Sequence, residues 1–136
     1  MPNFAGTWMH VKSENFSEYL KANGLNFLLA SMMSKASPTL EIHQTGDEFV
    51  IRTITTMKTR EQQFTVGQAF EEVHWSGGTK QSIAIFEGDK LVIKSVVDPE
   101  NNPVIERELI GEDETELMMT LRKGDVVAKR YFKKRD

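Results

Sequence analysis

The chain contains no cysteine. That excludes a disulfide framework, a thiol nucleophile and a thiolate zinc site, and it is compatible with a reducing compartment. Long apolar runs are also missing: no stretch reaches the roughly 20 residues that span a bilayer. The start, "MPNFAGTWMHVKSENF", lacks the basic region followed by an apolar core that marks a secretory signal. Neither sign of charge dominates. Seventeen Lys and Arg against 20 Asp and Glu leave a formal charge of −3, which gives no reason to expect nucleic-acid binding. Linkers and low-complexity segments are absent. The 136 residues point to one soluble, cytoplasmic domain, residues 1–136, large enough to bury a core without a metal or disulfide staple.

From about residue 38 onward, short β-rich runs alternate with turn signals: "TGDE" at 45–48, "SGG" at 76–78, "EGDK" at 87–90, "DPENNP" at 98–103, "GEDE" at 111–114 and "KGD" at 123–125. That spacing predicts an antiparallel sandwich or barrel. Alternation assigns faces. Leu40 and Ile42 share one; Phe49, Ile51 and, across Thr53 and Thr55, Met57 share another; so do Leu117, Met119 and Leu121. Residues 13–36 read differently. Phe16, Tyr19 and Leu20 recur at helical spacing, Ser13 is placed to cap a first helix, and Gly24 to stop it. A second helix is predicted over about Asn26 to Ala36, before Pro38. It is rich in apolar residues: Leu25, Phe27, Leu28, Leu29, Met32 and Met33. Packing onto the sheet accounts for most of them; the sharper reading is a lid exposed to membrane or ligand traffic. Two helices are too few to cover a large sheet. The chain is therefore expected to be mainly β, closing into an up-and-down barrel with a helix-turn-helix lid and an internal cavity.

Two arginines break the pattern. In "PVIERELIG" Arg107 shares a face with Ile105 and Leu109, while Glu106 and Glu108 take the other. In "VVAKRYFKK" Arg130 shares a face with Ala128 and Phe132, while Lys129 and Lys133 point away. Guanidinium stays charged, so burial demands an anion or water. Either the arginines pair with interior acids such as Glu72, or a register is off by one, or the arginines await a ligand. Two independent strands giving the same answer favour a ligand. A planar fork of donors in an apolar cavity suits a carboxylate, so the implied cargo is long, apolar and acidic at one end.

Other chemistry is poorly supported. His10, His43 and His74 have no metal-ligand spacing, the serines lack an elbow motif, and "WSGGTK" is a turn rather than a phosphate loop. Glu71 and Glu72 are adjacent and so face opposite sides of a strand. If Phe70, Glu72 and His74 face inward, Glu72 can meet water or an arginine. "FKKRD" reads as a solvated basic tail. Trp8 reads as core near the barrel floor; Trp75 lies beside a turn or the cavity. No cofactor and no enzymatic activity are expected.

Over its whole length the sequence resembles the intracellular lipid-binding proteins, which include fatty-acid-binding and cellular retinoid-binding proteins. The likeness is carried by "NFAGTW", "SENFSEYLKANG", "GDEFVIRTITT", "FTVGQAFEE", "RELI" and "DVVAKRYF"; "PNFAGTW", "SENF" and "ITTMKT" look most like the retinoic-acid-binding branch. The resemblance implies a ten-stranded antiparallel barrel with a helical lid over the portal, usually monomeric, carrying a fatty acid or retinoid. It implies that Arg107 and Arg130 hold a ligand carboxylate, and that Pro38, Thr53, Thr55, Lys58, Met119 and Leu121 line the cavity or portal. There are departures. Phe132 stands where acid carriers have a tyrosine, which removes a hydroxyl worth about 1–3 kcal/mol to a charged acceptor. Retinol carriers have phenylalanine there, so a neutral-lipid carrier is the alternative. A barrel that binds nothing is a third reading. Ala30 and Ser31 replace a basic pair, and Lys58 an arginine.

Overall fold

The computed structural model describes residues 2–73 and 78–135. Its elements are β1 (Gly6–Glu14), α1 (Phe16–Ala22), α2 (Phe27–Ser34), β2 (Thr39–Thr45), β3 (Glu48–Ile54), β4 (Thr59–Thr65), β5 (Ala69–Val73), β6 (Thr79–Glu87), β7 (Lys90–Ser95), β8 (Val104–Ile110), β9 (Glu116–Lys123) and β10 (Val126–Lys134). The ten strands form one antiparallel sheet in the order β4-β3-β2-β1-β10-β9-β8-β7-β6-β5, the barrel expected from the sequence. His74 and Trp75, which fall between β5 and β6 in the sequence, lie outside the described residues, as do Ser76 and Gly77 of "SGG".

Alternation decides which side chains fill the barrel. Leu40, Ile42, Phe49, Ile51, Leu117, Met119, Leu121, Ala128 and Phe132 are all buried, as their faces predict. Phe4 and Trp8 are fully buried, and the indole Nε1 donates to the Phe4 carbonyl at 3.0 Å, which satisfies the one polar atom of that ring. Met57 departs from the expected face. The strand ends at Ile54, and Thr55 to Lys58 form a tight turn in which Thr55 Oγ1 donates to the Lys58 carbonyl and accepts from the Lys58 amide. Met57, carried on that turn, is 85% exposed.

The barrel is closed by side chains along one seam. β4 and β5 share no strand pairing. Arg60 Nη2 donates to the Val73 carbonyl at 2.8 Å and Gln62 Nε2 to Glu72 Oε2 at 2.5 Å. At the far end of the seam the rings of Phe64 and Phe70 stack with centroids 5.2 Å apart. At the helix end of the seam an opening of about 260 Å³ remains, lined by Lys58, Arg60, Gln62 and Glu72 among others.

The helices sit at the end of the barrel that also carries the β3–β4 turn, because Thr39 pairs with Ile54. Ser13 does not cap α1. β1 continues to Glu14, and Asn15, with φ +60 in the left-handed region, precedes the helix. The Asn15 amide makes no bond to the helix and instead donates to the Val127 carbonyl. Gly24 does terminate α1: with φ +98 it lets the Leu25 amide turn back to the Leu20 carbonyl. α2 starts as expected, with Asn26 Oδ1 accepting from the Leu29 amide at 2.8 Å. It stops at Ser34, short of Ala36, since Ser37 precedes a proline and is disfavoured in helix. Its apolar residues divide. Leu25 is buried and Leu29 packs on the core, but Phe27 (74%), Leu28 (70%), Met32 and Met33 are exposed. Packing therefore explains the minority, and the exposed-lid reading the rest.

Candidate functional site

The strand registers place one row of inward side chains across five neighbouring strands. Leu91 on β7 opposes Arg107 on β8, which opposes Met119 on β9, which opposes Arg130 on β10, which opposes Ser13 on β1. The two arginines thus flank Met119, with Cα atoms two strand spacings, about 10 Å, apart. Side chains of this length can bring both guanidinium groups to one small group between them. The row lies near mid-length of β8 and β10, and Leu121 with Ala128 and Leu117 with Phe132 form the buried rows on either side.

Ser13 joins this row through a backbone irregularity. His10 pairs with Phe132 and Ser13 with Arg130, so β1 spends three steps where β10 spends two, and the register shifts between His10 and Lys12. Such a bulge reverses the parity of every residue after it. Simple alternation would have sent Ser13 outward with Val11. Nothing in "MHVKSE" signals the bulge, and so the sequence reading took Ser13 only for a helix cap; His10, two residues from buried Trp8, precedes the bulge and was read only as a surface or wall residue.

Arg107 is 4% and Arg130 8% exposed. Arg130 has protein partners: Nε donates to Ser13 Oγ at 2.9 Å, Nη2 donates to the Ala36 carbonyl at 3.1 Å, and the guanidinium lies 4.1 Å from the centroid of the Phe16 ring. α1 and the end of α2 therefore hold this side chain from above. Arg107 is held differently. Its Nε and Nη1 are buried and have no hydrogen-bond partner among the described residues. Glu72, the interior acid nearest in role, takes its hydrogen bonds from Ser82 Oγ (2.6 Å) and Gln62 Nε2 (2.5 Å) instead. No ion pair joins Glu72 to either arginine among the described residues, although its field reaches Arg107.

Electrostatics follow from burial. Arg107 is lowered to about 10 by desolvation, opposed by the charges of Glu72 and Tyr19, and Arg130 is lowered to about 10 by desolvation. Tyr19, buried on α1, is pushed up to about 12, chiefly by burial. His10 is lowered by burial and by the positive charge of Arg130.

The remaining residues singled out from sequence spread around this row. Pro38 is fully buried where α2 leads into β2, and its carbonyl accepts from the His10 amide. Thr53 is half-buried on β3, opposite Leu40. Thr55 and Lys58 belong to the β3–β4 turn at the helix end of the barrel, and Lys58 is exposed at the seam opening. These two do not reach the arginine row. Phe132 is 1% exposed, edge-on to His10 with ring centroids 5.5 Å apart.

A family model for the lipocalin / cytosolic fatty-acid binding proteins matches residues 5–134. The chain belongs to this family. The lipocalin / cytosolic fatty-acid binding family is one of carriers rather than enzymes. The chain is 39% identical to cellular retinoic acid-binding protein 1 of Gallus gallus, over 97% of this chain and 98% of that protein. Among solved structures it is similar to lipid binding protein 8 of Caenorhabditis elegans, with 30% identity, a TM-score of 0.86 and coverage of 97% and 95% of the two chains. It is also similar to a fatty-acid-binding protein from brain tissue of Drosophila melanogaster, with 33% identity, a TM-score of 0.84 and coverage of 96% and 99%. Among the described residues no helix is long and apolar enough to cross a membrane.

Proposed function

We propose that this protein is a cytoplasmic, monomeric carrier of one hydrophobic carboxylic acid, a long-chain fatty acid or retinoic acid, whose carboxylate sits on Arg107 and Arg130. The observation that carries the reading is the pair of Arg107 nitrogens, Nε and Nη1, left without a partner among the described residues. A buried guanidinium with two nitrogens unpartnered among the described residues is costly without an anion and well suited to a carboxylate oxygen. The relatives' names, retinoic acid-binding and fatty-acid-binding, support the same class of cargo. The apolar rows on either side of the arginines would hold the chain of the ligand. Exposed Phe27, Leu28, Met32 and Met33 on α2 would meet a membrane surface during transfer.

Titration with oleic acid, retinoic acid and retinol tests this, repeated in Arg107→Ala and Arg130→Ala. The expected result is that both acids bind the native protein more tightly than retinol and that each substitution costs at least about tenfold. Acid binding that survives both substitutions unchanged contradicts it. A second reading, a neutral-lipid carrier, is favoured by Phe132, which offers no hydroxyl to a carboxylate; preference for retinol in the same titration would establish it.

A further inference from the structure

His10, Ser13 and Ser37 form a chain of hydrogen bonds that ends on Arg130, and its proton arithmetic has two solutions for a neutral imidazole. Arg130 Nε can only donate, so Ser13 Oγ accepts from it at 2.9 Å. Ser13 Oγ also lies 2.8 Å from His10 Nε2. With the imidazole proton on Nε2, Ser13 Oγ accepts from both neighbours and Nδ1 accepts from Ser37 Oγ at 3.2 Å; with it on Nδ1, directed at Ser37 Oγ, the single hydroxyl proton of Ser13 goes to Nε2. In the second state Ser13 has no proton left for a ligand. A protonated His10 reverses that bond. Nε2 then donates to the second lone pair of Ser13, and the Ser13 O–H is released.

The released hydroxyl is beside Arg130, one row from Phe132, where the site lacks a hydroxyl of its own. We propose that His10 is a positioning residue for acid recognition: carboxylate binding at Arg130 is coupled to uptake of one proton from solvent by His10, which turns Ser13 into a donor to the ligand. The inference rests on the carboxylate reading of Arg107 and Arg130. The balance is simple: one solvent proton moves to His10, Nε2 is fixed as the donor in the Ser13–His10 bond, and no covalent bond changes.

The surroundings of His10 allow this coupling. From β10 the charged group on its face is Arg130; Phe132 opposite is apolar, and Tyr131 and Lys133 point away. On its own strand Lys12 lies over the Tyr131 ring and Glu14 accepts from the Tyr131 hydroxyl, both outside the barrel. The α2–β2 connection offers Ser37 and the Pro38 carbonyl, with Lys35 exposed. The empty site therefore disfavours a charged His10 through burial and Arg130. A carboxylate on Arg130 cancels the second of these, so binding the anion favours the proton and, by linkage, the proton favours the anion.

Isothermal titration of oleic acid, in two buffers of different ionisation enthalpy, reads the proton count directly in the native protein. Uptake of a substantial fraction of a proton is expected near neutral pH. Oleic acid affinity is expected to strengthen by about fivefold from pH 8 to pH 6. Oleyl alcohol, which has no charge to cancel Arg130, should show neither effect. Ser13→Ala should weaken oleic acid binding at pH 6 and flatten the pH profile, and His10→Gln should flatten it and abolish proton uptake. If either variant fails to fold, an NMR titration of the His10 Cε1–H in the native protein, with and without oleic acid, gives the same answer as an upward shift on binding. Oleic acid bound through the arginines with no proton uptake and no shift of His10 overturns this proposal alone. Loss of the carboxylate reading is a separate outcome: oleic acid that does not bind the native protein, or binds Arg107→Gln and Arg130→Gln as tightly as native, removes both.

Discussion

At the scale of single residues, Arg107 is a buried charge with two nitrogens that have no hydrogen-bond partner among the described residues. Arg107 should lower the stability of the ligand-free barrel, since among the described residues desolvation of its guanidinium is not repaid by any bond to Nε or Nη1. Arg107→Leu should therefore raise the stability of the ligand-free protein by about 1–4 kcal/mol, seen as a higher midpoint in urea, while removing acid binding. A lower midpoint would show that Arg107 has a structural partner. Phe132→Tyr restores a hydroxyl next to the arginine row and should tighten oleic or retinoic acid binding by about tenfold. His10 gives a pH signature. Its folded pKa is depressed below the unfolded value of 6.5, so the unfolded chain binds the proton more readily. Its destabilising contribution is absent above 6.5 and grows as pH falls from there through the folded pKa. Native protein should lose more stability than His10→Gln between pH 7.5 and pH 5, measured by urea unfolding of both.

Elements decide which of these residues can meet, and here the sequence was legible in part. Period-two alternation is enough to place Arg107 and Arg130 inside, because β8 and β10 run without interruption. It fails on β1, where the bulge at Val11 carries no mark in composition and moves Ser13 from the outer face to the arginine row. It also fails at Met57, since a strand pattern does not announce that the chain has already turned at Thr55. Helical spacing located α1 and α2 correctly but not which face of α2 is covered, because that depends on how two short helices lie on the barrel end. Deleting Val11 would restore a regular ladder and leave Ser13 opposite Arg130. Acid affinity should change little in the titration, and a severalfold loss would show that the bulge itself shapes the site. On α2, Leu28→Ser touches a side chain that is 70% exposed, so folding stability should move by less than about 0.5 kcal/mol. Transfer of a fluorescent fatty acid to phospholipid vesicles should slow, and an unchanged rate would argue against membrane contact through this helix.

For the whole molecule, a ten-stranded sheet whose edges β4 and β5 meet through side chains is a container with one weak seam. The seam has the features of a locally opening region: few backbone bonds, polar cross-links and an opening at its helix end. The central claim remains that the container is built for an acid. The most direct test is a crystal structure with oleic acid bound. The account predicts the carboxylate within hydrogen-bonding distance of Arg107 Nε or Nη1 and of Arg130, with the acyl chain along the apolar rows. A carboxylate at Lys58 and Arg60 in the seam, with Arg107 paired to Glu72, would contradict it.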